Sequence, residues 1–247
     1  MAGHSQYSNI VHRKNAQDKK RAKIFSKLAR EITVAARTSP DPSMNPALRS
    51  AIQAARAQNM PKDRIERAIS SAAGKDSTNY EERRYEGFGP GGIALIVEAL
   101  TDNRNRTASE VRSFQKHGGT LGESGSVAYM FERIGLVRYS ANAASADGML
   151  EAAIEAGADD CSSDDEGHEI VCAPDDLNAV GDALEKILSA AASTARLEWR
   201  PTNTIAIGED HAGTLFKLLD VLDDNDDVQR VFANFEVDEA VLEKLGA

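Results

Sequence analysis

Near residue 75 the hydrophobic period of this chain changes, and its charge changes sign at the same place. Before that point apolar residues recur at the three-to-four spacing of helices. After it, short continuous or alternating apolar runs are interleaved with helical stretches. Two periods in one chain call for two kinds of packed unit, because a helical stripe and a strand face bury differently. Residues 1–75 carry 15 Lys and Arg against 5 Asp and Glu, net +10, while residues 76–247 carry 14 against 34, net −20. Either sign alone would keep the chain dissolved. The split therefore implies a module that meets a polyanion, joined to a body that avoids sticking to one. Nucleic acid is the leading candidate.

At 247 residues the chain exceeds the usual size of a single core, so two or three domains are expected. Its 41% apolar content is that of an ordinary globular protein. No uncharged apolar stretch reaches membrane-spanning length, and no apolar run of signal-peptide length opens the chain. No membrane partner is expected, and the cytoplasm is the expected compartment. Cys161 and Cys172 form neither a disulfide framework nor a metal quartet.

The first segment reads as three helices. Over 16–37 the apolar residues Ile24, Phe25, Leu28, Ile32, Ala35 and Ala36 share one stripe. Asn45 is placed to cap a second helix whose first turn takes Pro46, with Leu48, Ala51, Ile52 and Ala55 inward. Pro61 opens a third, carrying Ile65, Ala68, Ile69 and Ala72, and Gly74 stops it. Three such stripes need one another, which gives a small bundle.

Beyond residue 75 the spacing predicts a hairpin of strands 80–86 and 93–100, a helix over 104–117 and a strand over 126–132. Then come strand 134–139, helix 146–157, strands 159–164 and 168–173, helix 175–191 and strand 194–200. That βαββαβ order is the ferredoxin-like signature. Strand 203–207, helix 211–223 and strand 228–235 supply what the 93–132 half lacks. The expected class is α+β: a basic three-helix domain (1–75) and a split ferredoxin-like domain (76–133 with 202–247), interrupted by an inserted one (134–201).

On a wheel turning ~100° per residue, Lys20, Lys23, Lys27 and Arg30 gather on one side, with Lys19 and Arg37 beside them. The apolar stripe lies opposite. This is a cationic ridge on a rigid element, suited to phosphates, which need only point charges at loose spacing. His12, Arg13 and Lys14 extend it as an arm, together with His4, and Tyr7 can stack on a base. Arg21 falls on the apolar side, where pairing with an acid or snorkelling is expected. A solvated face is the plainer alternative, but only Asp18 and Glu31 supply acids between residues 16 and 37. No exposed turn of Arg, Asn and Gln offers base readout.

Gly87-Phe88-Gly89-Pro90-Gly91-Gly92 matches G-x-G-x-x-G, yet an apolar strand follows where a dinucleotide site needs a helix. A hairpin tip is expected, with Gly89, Pro90, Gly91 and Gly92 as candidate loop contacts. A second glycine-rich loop runs from Gly118 to Gly125. Asp223-Asp224-Asn225-Asp226-Asp227 lacks the glycine and glutamate of a calcium loop and reads as a solvated turn. Cys161 and Cys172 are expected to face each other across a hairpin as reduced core thiols. His117 and His211 have no nucleophile near them in sequence, and the acids from Asp159 to Glu166 surround a hairpin turn with no histidine spacing beyond His168. No catalytic residue, metal, cofactor or small-molecule substrate is indicated.

The stretches GHSQYSNIVHRKNAQDKKRAKIFSKLAREITVAAR, NPALRSAIQAARAQNMPKDRIERAI, YEGFGPGGIALIVEALTDNRNRT, GSVAYMF and DDVQRVFANFE resemble the YebC/PmpR family over essentially the whole length. The resemblance implies an N-terminal helical domain and two α+β domains. It also implies a DNA-binding transcriptional regulator, or a factor that acts at the ribosome when synthesis stalls on proline-rich stretches. DNA, or ribosomal or transfer RNA, would be the partner. The chain departs from the family at Gln6 and Tyr7, where lysine and tryptophan are usual, and at Ala22 and Thr38-Ser39, where glycines are.

Overall fold

A computed structural model describes residues 17–74, 79–238 and 241, with the side chains of 17–20 and 113 left aside. Helix α1 (Gln17–Ala36) buries Phe25, Ile32, Thr33 and Ala36. It is followed by α2 (Pro46–Ala57) and α3 (Lys62–Ala72). Asn45 caps α2, accepting from the Leu48 amide at 3.1 Å while its Nδ2 donates to the Ala35 and Ser39 carbonyls, both at 2.8 Å. One buried side chain thus starts α2 and satisfies one carbonyl at the end of α1 and one in the turn that follows. Thr33 Oγ1, 3.0 Å from the Ala68 carbonyl, ties α1 to α3.

Strands β1 (Glu81–Phe88) and β2 (Ala94–Thr101) form an antiparallel hairpin from Glu81↔Thr101 to Phe88↔Ala94. Helix α4 (Arg104–Val111), a 3-10 turn (Arg112–His117) and β3 (Thr120–Leu121) come next. The expected strand over 126–132 is replaced by a 3-10 turn, Ala128–Met130, after which β4 (Phe131–Tyr139) runs unbroken. The cause is Glu86, whose buried carboxylate accepts the Val127 and Ala128 amides at 3.0 Å and so takes them from any ladder.

The remaining elements are α5 (Ala146–Ala156), β5 (Asp160–Asp164), β6 (Gly167–Cys172), α6 (Leu177–Leu188), β7 (Thr194–Pro201), β8 (Ile205–Ile207), α7 (Glu209–Asp223), β9 (Val228–Ala233) and β10 (Phe235–Val237). The chain is α+β with a helical N-terminal region. One sheet has the order β5-β6-β4-β7, the ferredoxin-like arrangement, and buries Val137, Ile170 and Cys172 with Met149, Val180 and Leu184 of α5 and α6.

The other sheet has the order β3-β1-β2-β9. Strand β2 reads as a continuous apolar run because both its faces are covered. Leu95 and Val97 pack with Leu215, Leu218 and Leu222 of α7, while Ala94 and Ile96 pack with Val127, Phe131 and Phe232. The expected strand 228–235 is broken at Asn234. Its Oδ1 accepts the Ala94 amide at 2.7 Å and its carbonyl accepts the Ile205 amide at 2.8 Å. Strand β8 therefore pairs in parallel with β10, Ile205↔Phe235, outside the larger sheet.

By contacts the described residues divide into two compact units. One draws on the described residues of 17–27, 79–132 and 199–241, the other on those of 28–74 and 133–198.

Candidate nucleic-acid interface

Of the residues singled out from the sequence, His12, Arg13 and Lys14 lie outside the described residues. Lys19 and Lys20 belong to α1, with their side chains outside the description. Lys23, Lys27 and Arg30 continue the line along the helix, and Arg37 lies in the turn just past its end. Arg21, on the apolar side, lays its guanidinium over the Phe25 ring at 5.4 Å, as snorkelling predicts.

Lys23 and Lys27 meet the far end of α7. Lys23 Nζ donates to Asp224 Oδ1 at 2.7 Å and to the Asp224 carbonyl at 3.0 Å. Lys27 Nζ donates to the Asp223 carbonyl at 2.8 Å. Burial pushes the Lys27 ammonium below the ordinary lysine value, and the neighbouring Asp223 carboxylate works in the opposite direction. The contact has a local logic. Carbonyls at a helix C-terminus lack intrahelical partners and carry the negative end of the macrodipole. Helix α7 ends on acids and has no basic residue in its last turn, so α1 supplies the cations.

Reading 223–227 as a solvated turn holds for the exposed Asp223, Asp224 and Asp226 and is corrected at Asp227. Asp227 is buried; its carboxylate receives the Arg106 guanidinium at 2.8 Å and Thr107 Oγ1 at 2.7 Å. Asn225 Nδ2 donates to Glu110 at 2.7 Å. The partnership of Asp223 and Asp224 with the ridge was missed. Its signal was present, since acids at a helix C-terminus go against the dipole and need a counter-charge from elsewhere.

The hairpin tip is a built turn. The Gly89 amide bonds the Ile93 carbonyl at 2.7 Å, and Gly91 and Gly92 sit at φ 74° and 76°, the left-handed region that other residues rarely enter. The second glycine loop is brought beside it. Strand β3 pairs Gly87↔Leu121 and Phe88↔Thr120, and a methyl on Gly118 would stand 3.4 Å from the Pro90 ring. A methyl on Gly91 would stand 3.4 Å from the His211 ring in the first turn of α7, where His211 Nδ1 lies 2.9 Å from Asp210. Sequence spacing held no sign of this convergence.

Across the β5–β6 hairpin Cys161 stands opposite Ile170, so the two cysteines do not face each other. Both are free thiols, and burial raises both, Cys172 to about 11, with Asp160 and Asp159 respectively adding to the effect. His168 is buried, with Nδ1 2.7 Å from Ser163 Oγ and Nε2 3.1 Å from the Ala144 carbonyl, a satisfied core histidine. Among the described residues no group of three or more His, Cys, Asp or Glu is placed to hold a metal ion. Nor is any helix among them long and apolar enough to cross a membrane.

Family comparison decides what kind of molecule carries this arrangement. The family model described as the TACO1/YebC protein N-terminal domain matches residues 5–75, and that of the TACO1/YebC second and third domain matches residues 80–235. The chain belongs to the TACO1/YebC family. A crystal structure of a conserved hypothetical protein from Aquifex aeolicus is similar, at 48% identity and a TM-score of 0.82, covering 90% of this chain and 93% of that one. TACO1/YebC proteins are broadly described as transcriptional regulators that bind nucleic acid. In this member the ridge lies within the segment matched by the N-terminal domain, and the converging glycine loops lie within the second-and-third-domain match.

Proposed function

We propose that this protein regulates gene expression by holding a nucleic-acid backbone against α1, with duplex DNA as its partner, and that it acts by binding rather than turnover. The observation that carries the reading is the charge split: net +10 over residues 1–75, net −20 beyond. One further fact supports it. The N-terminal family match ends at that same boundary. Lys23 and Lys27 are held by the Asp224 carboxylate and the Asp223 carbonyl, so in this reading a phosphate has to displace that turn from them. In this reading Lys19, Lys20, Lys23, Lys27, Arg30 and Arg37 follow the phosphates, His12, Arg13 and Lys14 extend the track, and Gly89, Pro90, Gly91 and Gly92 offer backbone that a ligand can approach closely. The three-domain division at 75, 133 and 201 and a cytoplasmic setting belong to the same proposal.

The test is a gel shift with the triple variant Lys20→Glu, Lys23→Glu, Lys27→Glu, alongside the Lys→Gln triple to separate charge reversal from loss of fold. Binding should vanish in the first and weaken in the second. Unchanged binding in both, with thermal melts showing a folded protein, removes α1 as the contact.

A second reading places the same face on ribosomal or transfer RNA, in a factor that relieves stalling on proline-rich sequences. The strongly acidic body favours it, since a DNA-bound regulator has little use for modules that repel its ligand. It predicts co-sedimentation with ribosomes at low salt and release at high salt. Protein remaining in the supernatant at low salt ends that reading.

A further inference from the structure

We infer that the Asp223–Asp224 turn is an internal stand-in for phosphate, occupying α1 until nucleic acid displaces it. The inference rests on the reading of α1 as the phosphate-binding face and adds a competitor for that face within the chain. Three observations carry it. The turn offers the ridge what a phosphate diester would: an anionic oxygen, Asp224 Oδ1, at 2.7 Å from Lys23, and neutral oxygens at 3.0 and 2.8 Å from Lys23 and Lys27.

The two acids are also badly placed for their own helix. Asp223 and Asp224 stand at the negative end of α7, where a carboxylate costs stability and a lysine would be favoured. They are not needed to shape the turn, which is pinned by Asn225 on Glu110 and by buried Asp227 on Arg106, Thr101 and Thr107. Finally, the Lys23–Asp224 ion pair is weak enough to exchange. The Asp224 side chain is 75% exposed and that of Lys23 39% exposed, so solvent screens their pairing, whereas a duplex presents many phosphates at once.

The consequence is competition: duplex and turn cannot hold Lys23 and Lys27 together. Asp223→Asn with Asp224→Asn in the full chain should bind a labelled DNA duplex about three- to tenfold more tightly at low salt. The salt slope should steepen by about one, as Lys23, released from the Asp224 carboxylate, reaches a phosphate, while the backbone-carbonyl contacts of the turn are left in place. In the unaltered protein, the backbone amides of 223–228 should shift in NMR spectra when duplex is added.

Equal affinity and equal slope in the Asn variant, or amides that stay put while duplex binds, would overturn the inference. Failure of the underlying reading looks different. In that case neither protein binds duplex or ribosomal RNA, or both bind and the Lys→Glu and Lys→Gln ridge variants bind as well.

Discussion

Glu86 is a buried carboxylate on a strand, a placement that composition alone would count against. Burial by itself would raise its pKa. The amides of Val127, Gly125 and Ala128 and the Arg84 guanidinium outweigh that and hold it below the ordinary glutamate value. A folded-state value below the unfolded one gives stability that is present above about pH 4.5 and is lost as pH falls through the folded value. Glu86→Gln should therefore cost about 2 kcal/mol at neutral pH, because the anion accepting these amides is replaced by a neutral amide. Urea midpoints measured from pH 7 to pH 3 should fall less steeply in the variant than in the parent. Sequence alternation marked Glu86 as a strand residue but could not say which distant amides it would reach. The Gly87 position beside it was equally silent: a methyl there would run into the Thr120 carbonyl, so β1 accepts β3 only where a side chain is missing.

Helix ends show how much an element can be read from its own residues. Asn45-Pro46 announced α2, Pro61 announced α3, and both helices start where those signals place them. What the cap does beyond its own helix was not legible, because the Ala35 and Ser39 carbonyls come from another turn of chain. Asn45→Ala should remove the α2 cap and leave two carbonyls short of a donor, lowering stability by about 2 kcal/mol. Asn45→Asp should recover only the cap, which thermal melts of the two variants can separate. The long helix predicted over 104–117 instead tightens into a 3-10 turn after Val111 and closes on Gly118 in the left-handed conformation. Its apolar spacing is compatible with either helix, and packing of Phe114 into the core beside α7 settles it.

On the scale of the whole molecule, charge is segregated along the chain and partly rejoined in space, where Lys23 and Lys27 meet the end of α7. Binding through such a face should be steeply salt-dependent, with log affinity falling against log salt at a slope of about −3.5 to −5.5 if about four to six phosphates are touched. Titrations of the full chain with duplex at several salt concentrations measure this slope, and a flat response would exclude phosphate contact as the source of affinity. The sequence by itself determined the α+β class, the helical start, the strand-helix alternation and the side of α1 that carries the lysines. Each of these follows from periodicity and caps, which are local properties of neighbouring residues. Only the tertiary structure decided that Glu86 would stop a strand, that Asn234 would divert β10 to β8, that the two glycine loops would converge, and that an acidic turn some 200 residues downstream would sit on the ridge. Those outcomes depend on which distant polar groups satisfy one another once the backbone is buried, and one-dimensional spacing carries no record of that pairing.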